Sequence, residues 1–224
     1  MADSTATTTT PDFGVFNQLG DYGVLGIGVY NGQTANRPEL NSNKHVVARA
    51  SYPVQIKNQV LEAGIQAYKG QFTLLSTTSG VGTATDKLYN DERVGATFVL
   101  YPKPFGILAE YNIGRGPEYD KLTNSIIESP LKGGFITASY KLDFKGQTFI
   151  PFSRFQYYDG GKKHELDARS YEVKELELGA EWQPNKNFEL VVMYTMSARR
   201  FEDAANPTNF QRGNLLRIQA QVNF

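Results

Sequence analysis

Alternation of apolar and polar residues constrains this chain more than any other feature. From Leu216 to Phe224, and again from Phe188 to Ala198, every second residue is apolar or aromatic, and Arg, Gln, Asn, Glu, Thr and Ser fall between them. Successive side chains of a β-strand point to opposite faces, so each run predicts a strand with one apolar and one polar face. No apolar run approaches the roughly 18–20 residues of a membrane helix.

The same pattern predicts about eleven strands, and the segments between them alternate between short and long. A β-sandwich has no reason to sort its connections in this way, whereas outer-membrane barrels have tight periplasmic turns and long extracellular loops. The predicted strands are 12–19, 23–31, 44–53, 58–71, 90–102, 104–115, 136–144, 147–158, 175–182, 188–199 and 216–224. The short connections are 20–22, 55–57, 102–104, 145–147 and 184–187; the long ones are 32–43, 72–89, 116–130, 159–170 and 202–211.

The polar sides of these strands carry many charges. The chain has 23 basic and 23 acidic residues, and its mean hydropathy is −0.41. Unpaired charges in a dry core would cost on the order of several kcal/mol each, so we expect the polar faces to line a water-filled lumen and the apolar faces to meet lipid. The predicted fold is an all-β, antiparallel transmembrane β-barrel. Its predicted lumen acids are Glu62, Glu175, Glu177, Glu181 and Glu189.

Basic residues on the predicted lumen side are the candidate anion pathway. A wet array of cations raises the local concentration of anions. Because the lumen acids are as numerous, the alternative is that most of these cations pair with carboxylates and brace the wall, and we favour this for most of them. The candidates are Arg49, Arg93, Lys141, Arg154, Arg199 and Arg217.

Aromatic residues gather beside the short connections, as expected for an interfacial girdle. The last of them, Phe224, closes a terminal strand of alternating apolar residues, which resembles the assembly signal of bacterial outer-membrane barrels. With short turns in the periplasm, the C-terminus is also predicted to be periplasmic. The girdle residues are Tyr52, Tyr101, Phe105, Tyr140, Phe144, Phe149, Trp182, Phe188 and Phe224.

Several stretches together resemble the carboxyl-terminal part of the phosphate-selective porin O/P family. They cover residues 11–224, and their order and spacing carry the resemblance more than any single motif. They are PDFGV (11–15), GVYNGQTANRPELNSNKHVVARASYP (28–53), YPKPFGILAEYNIGRG (101–116), FIPFSRFQYYDGGKK (149–163) and LELGAEWQPNKNFELVVMY (176–194).

The resemblance implies a barrel of about sixteen strands that assembles as a homotrimer. Bacterial single-chain barrels have even strand numbers, so an odd count of about eleven leads us to expect that the amino-terminal side of the barrel is missing. A complete barrel of ten or twelve strands is the alternative. We divide the chain into a disordered Thr-rich arm at 1–11 and a barrel at 12–224. The resemblance also implies a constriction built by an inward-folded loop and earlier strands, which we do not identify here.

Composition excludes several other functions. The absence of Cys excludes disulfides and thiolate metal sites, and no His spacing suits a metal. No long basic run indicates nucleic-acid binding. We therefore expect no cofactor, no metal and no enzymatic activity. The expected partners are outer-membrane lipid and lipopolysaccharide, the barrel-assembly machinery, and small hydrophilic solutes or anions.

The sequence predicts an outer-membrane porin of a Gram-negative cell that lets small hydrophilic solutes diffuse passively, with a preference for anions or phosphate. A non-conducting barrel that serves as an adhesin or structural anchor is the first alternative. An outer-membrane hydrolase ranks well behind it, because the only histidines, His45 and His164, lie far apart in the sequence. A soluble β-protein is the remaining alternative.

Overall fold

A computed structural model describes residues 15–19, 23–32, 41–74, 87–162 and 168–222. They form one antiparallel sheet in which eleven strands follow each other in chain order, and a further short strand, β8, pairs only with β9. This arrangement confirms the predicted all-β antiparallel fold and its eleven principal strands. The strands are β1 (Val15–Leu19), β2 (Gly23–Asn31), β3 (Lys44–Ile56), β4 (Gln59–Leu74), β5 (Lys87–Leu100), β6 (Phe105–Asp120), β7 (Ser125–Tyr140), β8 (Leu142–Phe144), β9 (Gln147–Gly161), β10 (Ser170–Asn185), β11 (Phe188–Glu202) and β12 (Phe210–Val222).

The two faces of the sheet differ as the alternation predicts. On β10, Leu176 and Leu178 are 37% and 48% exposed, whereas the neighbouring Glu175 and Glu177 are 5% and 9% exposed. A soluble protein would show the reverse, with carboxylates exposed and leucines buried. We call the side of Glu175 the lumen face and the side of Leu176 the outward face. No helix in the described ranges is long and apolar enough to span a membrane.

The aromatic girdle lies on the outward face beside the short turns. Trp182 is paired across strands with Phe149, and Phe105 is paired with Tyr140. All four side chains are exposed, by 39% to 44%. Their position matches the interfacial belt that aromatic residues form at the edge of a lipid bilayer.

The predicted long loop at 116–130 is wrong. Strands β6 and β7 continue through it and remain paired up to Asp120 and Ser125, which leaves a turn at 121–124. Gly116, Pro117 and Pro130 lie where β6 and β7 have only each other as strand-pairing partners. Pairing of β5 with β6 stops at Arg115, and pairing of β7 with β9 stops at Lys132. A proline amide lacks the donor that a further strand would require, so both prolines are tolerated here.

The turn at 121–124 is held by its own side chains. Thr123 Oγ1 donates a hydrogen bond to Asp120 Oδ2 at 2.7 Å, and the amides of Leu122 and Thr123 donate to the same carboxylate. These bonds, the hydroxyl bond first, lower the pKa of Asp120. The carboxylate therefore stays charged, as an acceptor of several hydrogen bonds requires.

Other boundaries shift by a few residues. β4 reaches Leu74 and β9 reaches Gly161, so the loops predicted at 72–89 and 159–170 are shorter. The strand predicted at 136–144 is divided between β7 and β8. The predicted turn at 145–147 is confirmed: Lys145 and Gly146 have φ of 48° and 79°, the left-handed pair of a tight hairpin. The arm at 1–11, the turn at 20–22 and Phe224 lie outside the described residues, so these predictions stay untested.

Two adjacent valines on β11 test the assignment of the faces. Val192 lies on the outward face and is 40% exposed, whereas Val191 pairs with Glu181 on the lumen face. Val192→Lys should destabilise the folded protein in a bilayer by about 2–4 kcal/mol, because the ammonium would meet hydrocarbon. Val191→Lys, the matched control, should cost much less. Equilibrium unfolding from lipid vesicles measures the free energy of unfolding of both variants. Equal losses of this free energy would contradict the assignment of the faces.

Candidate pore-lining site

The lumen face of β3 to β11 lines an open cavity of about 680 Å³ that carries both polar and apolar side chains. Its wall combines residues from eight strands of the sheet. Among the lining residues are Gln66, Tyr68, Arg93, Glu110, Asn112, Phe135, Gln156, Tyr158, Tyr171, Glu175 and Arg199. Two of the predicted anion-pathway residues, Arg93 and Arg199, therefore line one shared space.

Arg199 is held by the most extensive charge network of the cavity wall. Its Nη2 donates to Glu175 Oε1 at 2.5 Å, and its Nε donates to the same oxygen at 3.1 Å. Ser197 Oγ donates to that oxygen at 2.6 Å, and Gln156 Nε2 donates to the other oxygen of the carboxylate. Four donors on one carboxylate compensate for its burial. Arg199 therefore serves mainly to brace the wall.

Arg154 lies on the neighbouring strand β9 with a weaker partner. Its Nη1 is 3.8 Å from Glu177 Oε2, and its guanidinium carbon lies 4.5 Å from the centre of the Phe135 ring. The Nε atom is buried and makes no hydrogen bond within the described part of the chain. The face of the ring attracts the cation, so Arg154 is held by stacking as much as by charge.

Arg93 belongs to a chain of buried polar contacts on β3, β4 and β5. Its Nε donates to Asp91 Oδ1 at 3.2 Å, and Asp91 is fully buried. The Tyr68 hydroxyl contacts His45 Nδ1, and His45 Nε2 lies 2.8 Å from the backbone oxygen of Gln71. His45 is 3% exposed, so this histidine is embedded in the wall by its ring contacts.

Arg49 is exposed within the sheet, and Arg217 is exposed along with all of β12, the last strand of the sheet. Arg49 pairs with Gln66 across strands, and Arg217 pairs with Met193, which places both on the lumen face. Neither forms an ion pair with any residue that the structure describes. They are the lumen guanidiniums best placed to meet a passing anion.

Lys141 lies at the short-turn rim of the lumen, away from the cavity. Its Nζ is 3.3 Å from Asp143 Oδ2, and Thr148 Oγ1 donates to Asp143 at 2.6 Å. The Thr148 bond first, and then Lys141, lower the pKa of Asp143. The ammonium is therefore neutralised by a carboxylate that stays charged.

Ala168, in the connection between β9 and β10, makes a contact that was not predicted from the sequence. Ala168, in this connection, is completely buried and packs against Phe72, Leu74 and Tyr89. These three residues continue the lumen-facing series of β4 and β5, which β6 and β7 separate from β9. Ala168 therefore lies over the lumen face, at the end opposite the short turns.

Three further contacts lie around Ala168, and we call Ala168 together with these contacts the cover. Tyr119 of β6 donates its amide to Ala168 O at 2.9 Å, and Ser170 Oγ donates to Glu118 Oε1 at 2.6 Å. Lys121 Nζ lies 3.1 Å from Glu202 Oε1 on β11. The β6–β7 hairpin thus contacts Ala168, the start of β10 and the end of β11 at this end of the lumen. A small apolar residue such as Ala168 carries no local sequence signal for such a contact.

The sheet, its apolar outward face and its charged lumen face define a membrane β-barrel of the porin class. Comparison with protein families identifies the particular porin family. The model of the family "Phosphate-selective porin O and P" matches residues 1–224. The chain belongs to that family, which confirms the resemblance seen in the sequence. A search of curated proteins gave no match.

Removing Arg199 should measure how much the network stabilises the wall. Arg199→Ala leaves Glu175 buried with fewer donors and should lower the free energy of unfolding by about 1–3 kcal/mol. Lys174→Ala breaks an exposed pair with Glu172 on the outward face and should cost at most about 1 kcal/mol. Denaturant titration in detergent compares the two variants. A loss for Arg199→Ala no larger than that of the control would show that the network contributes little.

Introducing a charge at Ala168 should displace the cover. Ala168→Asp places a carboxylate among Phe72, Leu74 and Tyr89, where it has no compensating donor. We expect the connection to leave the lumen and the single-channel conductance to rise. Ala205→Asp, at an exposed position between β11 and β12, is the control and should leave the conductance unchanged. An unchanged conductance in Ala168→Asp would show that the connection does not limit the pore.

Proposed function

We propose that the protein is an outer-membrane pore through which small hydrophilic solutes diffuse passively, with a preference for anions that includes phosphate. The observation that carries the proposal is the division of the sheet into an apolar outward face and a lumen face bearing charged side chains. Such a sheet is stable only between lipid and water. Membership of a porin family supports the same function.

The anion preference rests on a small number of residues. Arg93, Arg154 and Arg199 each have a carboxylate partner on the wall, and Lys141 has one at the rim. Their charge is largely compensated, as the bracing interpretation predicts. Arg49 and Arg217 remain as exposed cations with no such partner among the described residues. We assign the anion preference to these two and the width of the path to the cover at Ala168.

The proposal includes the remaining expectations for this class of protein. The short turns face the periplasm, the longer connections face outside, and Phe224 contributes to recognition by the barrel-assembly machinery. The complete barrel has about sixteen strands, and three copies assemble in the membrane. No step of the transport needs a cofactor or a covalent intermediate.

Reversal potentials in planar bilayers test the anion preference. In a KCl gradient, Arg49→Gln and Arg217→Gln should each shift the reversal potential towards that of a cation-preferring pore, because each removes an uncompensated lumen charge. Arg212→Gln is the matched control, since Arg212 lies on β12 with Arg217 but faces outward opposite Ala198. Added phosphate should reduce the chloride current of the unmodified protein.

The outcomes separate the parts of the proposal. If the unmodified protein gives no conductance, the pore function is wrong and a non-conducting barrel is favoured. A conductance with cation preference would contradict the anion assignment alone. Equal shifts in Arg212→Gln and Arg217→Gln would show that general surface charge, and no lumen site, sets the selectivity.

A further inference from the structure

The outward face carries a groove that the pore function does not use. It runs along β3 to β7 with a volume of about 1130 Å³. Its sides are apolar and exposed, and include Val46, Val94 and Ile113 at 45%, 57% and 55%. Cations surround its end nearest the long connections. These are Lys44, Lys69, Arg115 and Lys132, with Glu92 as the single carboxylate of the lining.

Two of the groove cations lie opposite a carboxylate in the strand pairing, Arg115 opposite Glu92 and Lys132 opposite Asp159. Lys69 lies 3.9 Å from Glu92, and both side chains are well exposed, at 83% and 46%. Arg115 and Lys132 have no ion-pair partner within the described ranges. Arg115 is paired with Pro130, two residues from Lys132, so the two cations are diagonal neighbours on one face, about 7–8 Å apart at Cα. One phosphate group can bridge cations at that spacing.

A second, apolar groove continues the first towards the short turns. It has a volume of about 400 Å³ and is lined by Ala96, Ala109 and Gly134 between larger side chains. Ala96 follows Val94 on the outward face of β5, and Gly134 follows Lys132 on the outward face of β7. The larger side chains are Phe98, Tyr111, Ile136 and Phe155, which are 37% to 52% exposed. The two grooves lie one after the other along β5 to β7, and we call them together the outward channel, with cations at one end and apolar residues along the rest.

We propose that this outward channel binds a phosphorylated, multiply acylated glycolipid of the outer leaflet. The cations contact its phosphates, and its acyl chains lie over Ala96, Ala109 and Gly134. Charge complementarity favours this occupant, because the lining carries more cations than carboxylates, which suits a lipid with more than one phosphate better than a zwitterionic one. The small residues let the chains approach the backbone closely. The inference rests on the proposed outer-membrane location and orientation.

Binding of diphosphoryl hexa-acyl lipid A to the full chain in dodecyl maltoside, followed by native mass spectrometry, tests the proposal. Removing two groove cations in Arg115→Gln/Lys132→Gln should weaken binding about thirty-fold. The control, Lys174→Gln/Arg212→Gln, removes two outward cations that lie outside the groove and should bind like the unmodified protein. Ala96→Phe keeps every charge but fills the apolar groove, and it should also weaken binding.

Several results would overturn the proposal. Equal losses of lipid affinity in both double variants would indicate non-specific charge attraction. Displacement of the lipid by an excess of inorganic phosphate would indicate a site for free anions, and unchanged binding of the fully dephosphorylated lipid would exclude phosphate recognition. An oligomer that covers the groove and excludes lipid would assign the surface to a second copy.

The same variants should be tested for conductance in planar bilayers. Conductance without specific lipid binding would refute the lipid site and leave the pore function intact. Lipid binding without conductance would refute the pore function and leave the lipid site intact.

Discussion

Hydrocarbon offers no hydrogen-bond partner to a peptide group, and every other feature of this structure follows from that constraint. Each unsatisfied backbone group in lipid costs several kcal/mol, so a strand that crosses the membrane must pair along its length on both sides. Strands β2 to β7 and β9 to β11 do so with their neighbours in chain order. The pairing fixes the register, and the register assigns each side chain to lipid or to water. Where the pairing partners stop, at Arg115 and Lys132, the chain can include Pro117 and Pro130 and begin to build the cover over the lumen.

Because the register assigns each side chain to lipid or to water, charged residues lie mainly on the lumen face of the sheet. Glu175 and Glu177 are among the least exposed side chains of β10, yet each faces an arginine across the lumen wall. Such pairs are weak sources of net stability because removing two charges from water is costly. Their more useful effect is on geometry, since a braced wall keeps a fixed width beside the passing solute. The ion selectivity is then set by Arg49 and Arg217, the cations that do not brace the wall. The outward channel also uses cations to bind a ligand, here a lipid. Its cations lie at the rim, and small residues line the part beneath them.

Sequence reasoning was most successful where the physics is local. Alternation identified the strands and their lumen faces, and Lys145-Gly146 identified a hairpin turn, because side-chain period and backbone conformation are properties of a few consecutive residues. The prediction for 116–130 was wrong. Polar residues and Gly there indicated a loop, but β6 and β7 pair through this segment. Sequence reasoning also could not pair Arg199 with Glu175: they become neighbours only because Glu175 lies opposite Ser197 in the register of β10 and β11. The inward contact of Ala168 with Phe72 depends on strands distant in sequence, and nothing in the local pattern encodes it.

The central claim is that one face of each strand meets lipid while the other meets water. Because the chain has no cysteine, single cysteines along β11 can report this directly with a water-soluble, membrane-impermeant thiol reagent on the protein in bilayers. The account predicts labelling at Val191, Met193 and Ser197, and protection at Leu190, Val192, Tyr194 and Met196. Uniform labelling of both sets, as for a strand in a soluble protein, or protection that follows no period of two, would contradict it.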